Sequence, residues 1–205
     1  RDVERSRGLG DVYKRQVENA RQALMGCYGY MSADNAYGQA WQEVTFGYCG
    51  FGWSQTNGSS TDLLVSMDGG IDETINTMAW RGMYKVIGET NAFIANIADS
   101  PLESADKLPM EAAARFLRAL AYYNLAVTYG DVPLKTTPSA HDGVAVPRSP
   151  KNEVFELVRT DWEFAYENLP EKDDDGFATK WAAKAYLGKL YHCLLYTSPS
   201  PRDLS

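Results

Sequence analysis

The sequence predicts an all-α fold: helical hairpins with long irregular loops, truncated at both ends. Apolar side chains recur every three to four residues through five stretches, the period of a helix face. Prolines and glycines stand where those stretches stop, and small alanines gather where helices would cross.

The first stretch, Val17 to Ala33, places Val17, Ala20, Leu24, Cys27, Tyr28 and Met31 on one face. From Asp34 to Ser60 the period dissolves among five glycines, with room for a short helical turn within Trp41–Tyr48. A loop of this length is usually functional or disordered, and its aromatic load argues against disorder. Thr61–Ser66 is a short apolar run, read as extended. MDGGIDET then supplies a turn and a helix start, with Asp72 and Glu73 suited to the positive end of the helix dipole. Thr74–Ala98 reads as a long helix with Ile75, Met78, Met83, Ile87, Ile94 and Ile97 on its stripe, ended by Pro101.

The stretch Glu111–Leu134, EAAARFLRALAYYNLAVTYGDVPL, organises the rest. Ala114, Leu117, Leu120/Ala121, Leu125 and Thr128 share a face, and Pro109 suits a first helical turn. Gly130 is a C-terminal stop and Pro133 forbids resumption. A crossing loop over 130–150 leads to a helix over Pro150–Leu169, with Val154, Leu157/Val158, Trp162, Ala165 and Leu169 inward. After Pro170 comes a solvated acidic loop, EKDDDG. Thr179 is then the expected N-cap of a helix from Lys180 carrying Ala182/Ala183, Tyr186 and Leu190. The last three helices form an antiparallel series of the tetratricopeptide type, without the full repeat consensus.

The two ends read as foreign. Ser6–Gln16 can be written in codons whose reverse complement, shifted by one base, spells Cys193–Arg202. Unrelated termini have no physical reason to encode each other's complement, so residues 1–16 and 193–205 are expected to be adapter-derived and 17–192 the genuine fragment. Of 20 basic and 27 acidic residues, the ends hold six and four, leaving 14 against 23 and a net charge of −9. That balance disfavours nucleic acid or an anionic membrane surface as partner. Cys27 and Cys49 remain, without CxxC spacing, and are expected to be buried thiols. No apolar run reaches the length of a membrane span.

Catalytic, metal and cofactor sites are not expected. His141 lies in a loop without a nucleophile motif and His192 abuts the foreign end; there is no GxSxG, HExxH or P-loop, and Asp173–Asp175 lack the EF-hand pattern. The glycine-rich loop is different. Trp41, Tyr48, Phe51 and Trp53 could stack on the C–H faces of sugar rings, with Gln55, Asn57 and Asp62 near enough to bond the hydroxyls. The alternative for these aromatics is packing on the helices. Arg115 and Arg118 are expected to form ion pairs that lock their helix, with an acidic ligand as the alternative.

The motif A-R-F-L-R-A-x-x-Y-Y-x-L followed by Y-G-D-V-P-L resembles the signature of the SusD/RagB family of surface nutrient-binding lipoproteins. Trp80, Tyr84, Ile87 and Asn91 are similar to that family's W-x3-Y-x2-I-x3-N helix, where core packing is the expected role. VPRSPKNEVFELVRTDWEFAYENLPE and ATKWAAKAYLGKLY resemble the segments that follow. The resemblance spans nearly all of 17–192, and lacks the family's lipid-anchor cysteine and C-terminal half. It implies a non-enzymatic outer-membrane protein, exposed at the cell surface, that captures oligosaccharides and hands them to a SusC-like TonB-dependent transporter, touching the membrane only through its lipid anchor. No family motif pins the loop aromatics as ligand residues. The alternatives are a peptide-capturing member of the same family, a periplasmic helical-repeat scaffold and, third, an enzyme.

Overall fold

A computed structural model of the chain describes residues 2–47, 49, 74–138 and 146–197, with side chains between residues 12 and 195. Its helices are α1 (Asp2–Ser32), α2 (Ala40–Gly47), α3 (Thr74–Ala98), α4 (Ser104–Tyr129), α5 (Lys151–Asn168) and α6 (Lys180–Thr197). A short π-type segment, Asp34–Gly38, joins α1 to α2. Residues 2–16 prolong α1 toward the N-terminus, and residues 193–197 prolong α6.

Helices α3 to α6 form an antiparallel series, as side-chain registers show. Asn91 meets Arg118 while Trp80 meets Tyr129, which fixes α3 against α4. Phe116 meets Trp162 while Tyr123 meets Phe155, which fixes α4 against α5. Trp162 then meets Tyr186, and Tyr166 meets Lys184, across α5 and α6. Helix α1 lies across α3 and α4, with Leu24, Cys27 and Met31 turned inward.

Helix α4 departs from the single stripe read in its sequence. From Ala112 to Ala126 every side chain except Arg115 is buried. A helix covered all round sits at the centre of its domain. Its six buried alanines in that run leave room for neighbours on several sides, and Thr128, assigned to the stripe, is exposed. The helix also starts earlier than expected: Pro109 is its sixth residue, not part of its first turn. A proline there deprives the carbonyl four residues back of a donor, but that residue, Ala105, is exposed to water.

Trp162 is the pivot between α4, α5 and α6. It is wholly buried, and its ring lies 5.4 Å from Tyr123, 5.2 Å from Tyr186 and 6.5 Å from Phe116. Its indole N–H donates to the Phe116 carbonyl at 3.3 Å, so the polar edge is satisfied as well. Burying about 200 Å² of ring at about 25 cal/mol per Å² is worth about 5 kcal/mol.

The exit from α4 is built residue by residue from GDVP. Gly130 adopts φ 74°, and its N–H returns to the Ala126 carbonyl at 3.2 Å. Asp131 Oδ1 accepts the Lys151 backbone N–H at 2.8 Å, so it caps α5 from outside that helix. Val132 is wholly buried, and Val132–Pro133 (β1) pairs antiparallel with Arg148–Ser149 (β2). The acidic loop also departs from a purely hydrated run. Asp173 Oδ1 accepts the Asp175 and Phe177 N–H groups, and Arg21 of α1 pairs with Asp173 and Asp175. Phe177 lies between the Arg21 guanidinium (4.9 Å) and the Tyr28 ring (4.9 Å), and tethers this loop to the first helix.

Of the two cysteines read as buried thiols, Cys27 is buried. Cys49 is exposed and bonds the Phe46 carbonyl, because it follows the last turn of α2 instead of entering a helix face.

Candidate functional site

The segment leading into the aromatic loop is tightly held. The Asp34–Gly38 segment lies flat against α3 at Gly82: a Cβ built there would fall 1.8 Å from the Asn35 carbonyl oxygen. Only glycine lets two backbones approach so closely. On the other side, Asn124 of α4 donates to the Tyr37 hydroxyl at 2.6 Å, and Gln42 donates to the Tyr37 carbonyl at 2.7 Å. Burial pushes the Tyr37 phenol upward, so the hydroxyl stays protonated and neutral.

Trp41 stands one turn further on, in α2. It is 7% exposed, with its ring 6.4 Å from Tyr37, and shares the inner face of α2 with Ala40 and Val44. In this position it packs on the helices. Tyr48, Phe51, Trp53, Gln55, Asn57 and Asp62 lie outside the described residues, as do the Thr61–Ser66 run, Asp72, Glu73 and His141. Phe46 is an aromatic the sequence reading missed: it is 66% exposed at the end of α2, just before the loop. Its signal was its place two residues off the Trp41–Val44–Gly47 face.

A second cluster lies where α3 begins and α4 ends. Trp80 packs tilted on Tyr84 at 5.0 Å and edge-on to Tyr129 at 5.1 Å, and the Arg148 guanidinium lies 6.0 Å from its ring. All three rings are half-buried, which agrees with the packing role expected of Trp80 and Tyr84. The Tyr84 hydroxyl donates to the Pro133 carbonyl at 2.7 Å, and burial raises its pKa.

The two arginines of α4 are spent on structure. Arg118, 5% exposed, makes two 2.8 Å bonds to the wholly buried Asp161 carboxylate and a third, also 2.8 Å, to Asn91 Oδ1. Arg115 pairs with Glu111 and, at 3.5 Å, with Asp161, while its guanidinium stacks 4.2 Å from the Phe164 ring. Each of the three Arg118 nitrogens is bonded within the fold, and the side chain is 6% exposed, so it is not presented to an acidic ligand in solvent.

A cleft between α1, α4 and the acidic loop, lined by Arg21, Leu24, Met110, Leu169, Asp173 and Phe177, has a cavity volume of ≈ 40 Å³. That holds about one water and no sugar ring. Among the described residues, His, Cys, Asp and Glu side chains are nowhere gathered in a group that could hold a metal ion, and His192 is exposed. Nor is any described helix long and apolar enough to cross a membrane.

The helical fold finds counterparts in known proteins. A SusD-like family described as "Starch-binding associating with outer membrane" matches residues 15–192. A SusD-like protein of Bacteroides ovatus is 33% identical over 125 residues, 59% of this chain and 23% of its own length. A crystal structure with xylogluco-oligosaccharide superposes at a TM-score of 0.70 and 26% identity, covering 82% of this chain and 34% of that one. A laminarin-binding SusD-like protein superposes at 0.72 and 25% identity, covering 85% and 40%. The chain thus spans well under half the length of these relatives. With the family match running through every described helix, the chain belongs to the SusD-like family.

Proposed function

We propose that this chain is the helical part of a non-catalytic, surface-exposed outer-membrane lipoprotein. It captures oligosaccharides and delivers them to a SusC-like TonB-dependent transporter. The observation that carries the reading is the family match over 15–192, joined by relatives of known structure that bind xylogluco-oligosaccharide and laminarin. Physical support comes from the footing of the aromatic loop. Trp41, Tyr37 and Gly82 hold the segment that leads into it against the helices. Tyr48, Phe51 and Trp53 are the stacking residues in this proposal, with Asn57 and Asp62 bonding hydroxyls and Trp41 preceding them in α2. In this proposal residues 1–16 and 193–205 carry none of this function.

The test is calorimetric titration of the chain with xyloglucan- and laminarin-derived oligosaccharides and with peptides of similar length. Saturable binding of a neutral oligosaccharide is expected, weakened about tenfold by Trp53→Ala, or about 1.4 kcal/mol. Saturable peptide binding with no response to any oligosaccharide would overturn the reading. For the transporter, pull-down of a TonB-dependent barrel from solubilised source membranes is expected, and its absence refutes the hand-over step.

A further inference from the structure

Helix α6 carries Lys180, Lys184 and Lys189 and no acidic residue, in a chain of net charge −7. Its Trp181 is 51% exposed. Two ammonium groups lie over that indole: Lys180 Nζ at 5.0 Å and Lys184 Nζ at 5.8 Å from the centroid. Lys184 Nζ also lies 5.4 Å from the Tyr166 ring of α5, so one cation sits between aromatic rings from two helices.

The two lysines differ. Lys180 is ion-paired with Glu171. Among the described residues, Lys184 makes no ion pair, and neither its ammonium nor the Tyr166 hydroxyl makes a hydrogen bond. Cation–π attraction at an exposed site is weak and leaves the ammonium donors free for a charged acceptor.

We propose that this face binds an acidic sugar unit, resting on the glycan-binding reading above and adding a substrate class to it. The C–H face of the pyranose stacks on Trp181, its carboxylate or sulfate accepts from Lys184, and the Tyr166 hydroxyl bonds a ring substituent. Charge complementarity chooses this occupant: Lys184 is a cation without an ion pair among the described residues of an acidic protein, and a single exposed indole is too small to hold an extended apolar partner. Both carboxylated and sulfated sugars meet the requirement.

The full chain is titrated with oligogalacturonate, with a sulfated carrageenan oligosaccharide and with neutral xylogluco-oligosaccharide. The variants are Trp181→Ala, Trp181→Phe and Lys184→Gln, each checked by circular dichroism; both side chains reach the surface, so folding is expected to be unchanged. Trp181→Ala should weaken an acidic oligosaccharide about tenfold, Trp181→Phe should largely preserve it, and neither should alter neutral binding. Lys184→Gln should weaken the acidic ligand and flatten its salt dependence. A response to oligogalacturonate alone assigns the carboxylate, and to carrageenan alone the sulfate ester. If neutral sugars bind and acidic ones bind no tighter, or bind without regard to Trp181, the inference fails and the general glycan reading survives. If no glycan binds, both fail. A dimer seen by light scattering and abolished by Trp181→Ala would assign the face to a second copy and overturn the proposal.

Discussion

Replacing Asp161 with asparagine tests the centre of the fold, because the isosteric change removes one charge and almost no volume. Asp161 is wholly buried, and its two oxygens accept from Arg118 at 2.8 Å each and from Arg115 at 3.5 Å. Arg118 is 5% exposed, and its remaining contact is the neutral Asn91 amide. Asparagine would present amide hydrogens to the guanidinium and leave a buried cation uncompensated. Breaking one partner of such a pair costs about 3–5 kcal/mol, out of a total stability of about 5–15 kcal/mol for an ordinary domain. At about 2–4 °C per kcal/mol for a chain of this size, Tm should fall by about 6–20 °C. The pair joins three helices, since Asn91 lies on α3, Arg118 on α4 and Asp161 on α5, so its loss should be felt as global destabilisation. Urea and thermal melts followed by circular dichroism give the measurement. The double variant Arg118→Met/Asp161→Leu completes the test, because removing both charges removes the desolvation cost with them. It should be more stable than D161N and lie about 1–3 kcal/mol below the parent, because the buried Asn91 Oδ1 loses its donor. A D161N protein within about 1 kcal/mol of the parent would refute the reasoning, because water would then be reaching the guanidinium.

Gly82→Ala should destabilise by about 1–3 kcal/mol or more in urea melts, since its Cβ meets the fixed backbone of Asn35 at 1.8 Å. Gly88→Ala, six residues along the same helix with nothing within 4 Å of its Cβ, should instead stabilise by about 0.5–1 kcal/mol. Burial holds the Tyr28 and Tyr122 phenols up to about 12, from an ordinary 10.0. The folded chain therefore keeps protons that the unfolded chain releases: this stability is complete below about pH 10 and is lost as pH rises toward 12. Alkaline titration of tyrosinate absorbance should show a late step that coincides with loss of helicity, and a single step near the ordinary value would count against it. Burial likewise pushes the Cys27 thiol up to about 11 while Cys49 is exposed. A thiol reagent at about pH 8 should label Cys49 at once and Cys27 only on unfolding, and equal rates would contradict that assignment.

The long helices were legible because their periodicity is itself the cause of their burial. The boundaries read for α3, Thr74–Ala98, are those of the structure, and the α1 face from Val17 to Met31 is the one turned inward. Helix α4 was legible in existence and in its glycine stop, but not in its environment. A helix surrounded by others shows small residues all round instead of one stripe, and a three-to-four template finds a face in it regardless. The buried Asp161 was invisible for a related reason. On a sequence it is one more acidic residue among Glu156, Glu163 and Glu167, and only the facing Arg118 from a distant segment makes burial tolerable. Cys49 and Trp41 show the limit for the candidate site. Eight residues apart on one short helix and its exit, they have opposite exposures that follow from how α2 lies on α3, which no local pattern encodes.

Side chains of α3 and α4 converge on the segment after Gly130. Tyr84 donates to the Pro133 carbonyl, and the Tyr122 hydroxyl both donates to the Lys135 carbonyl and accepts its N–H, at 2.7 Å each. Asn91 donates to the Lys135 carbonyl at 3.0 Å while its own oxygen is held by Arg118, which is held in turn by Asp161. Each side chain therefore fixes the next, and the last link fixes a stretch of irregular backbone whose polar groups would otherwise need water. Arg118, Tyr122 and the GDVPL exit thus share one structural task in this chain. The arginine orients the asparagine, the tyrosine and asparagine bind the exit chain, and Asp131 starts the next helix. Breaking the chain at Asn91 with aspartate should disturb it most locally: the amide donor to Lys135 is lost while the carboxylate can still accept from Arg118. Hydrogen exchange should then quicken at the Lys135 N–H with the α4–α5 core still protected. Uniform protection in that variant would mean that Tyr122 alone suffices to hold the exit.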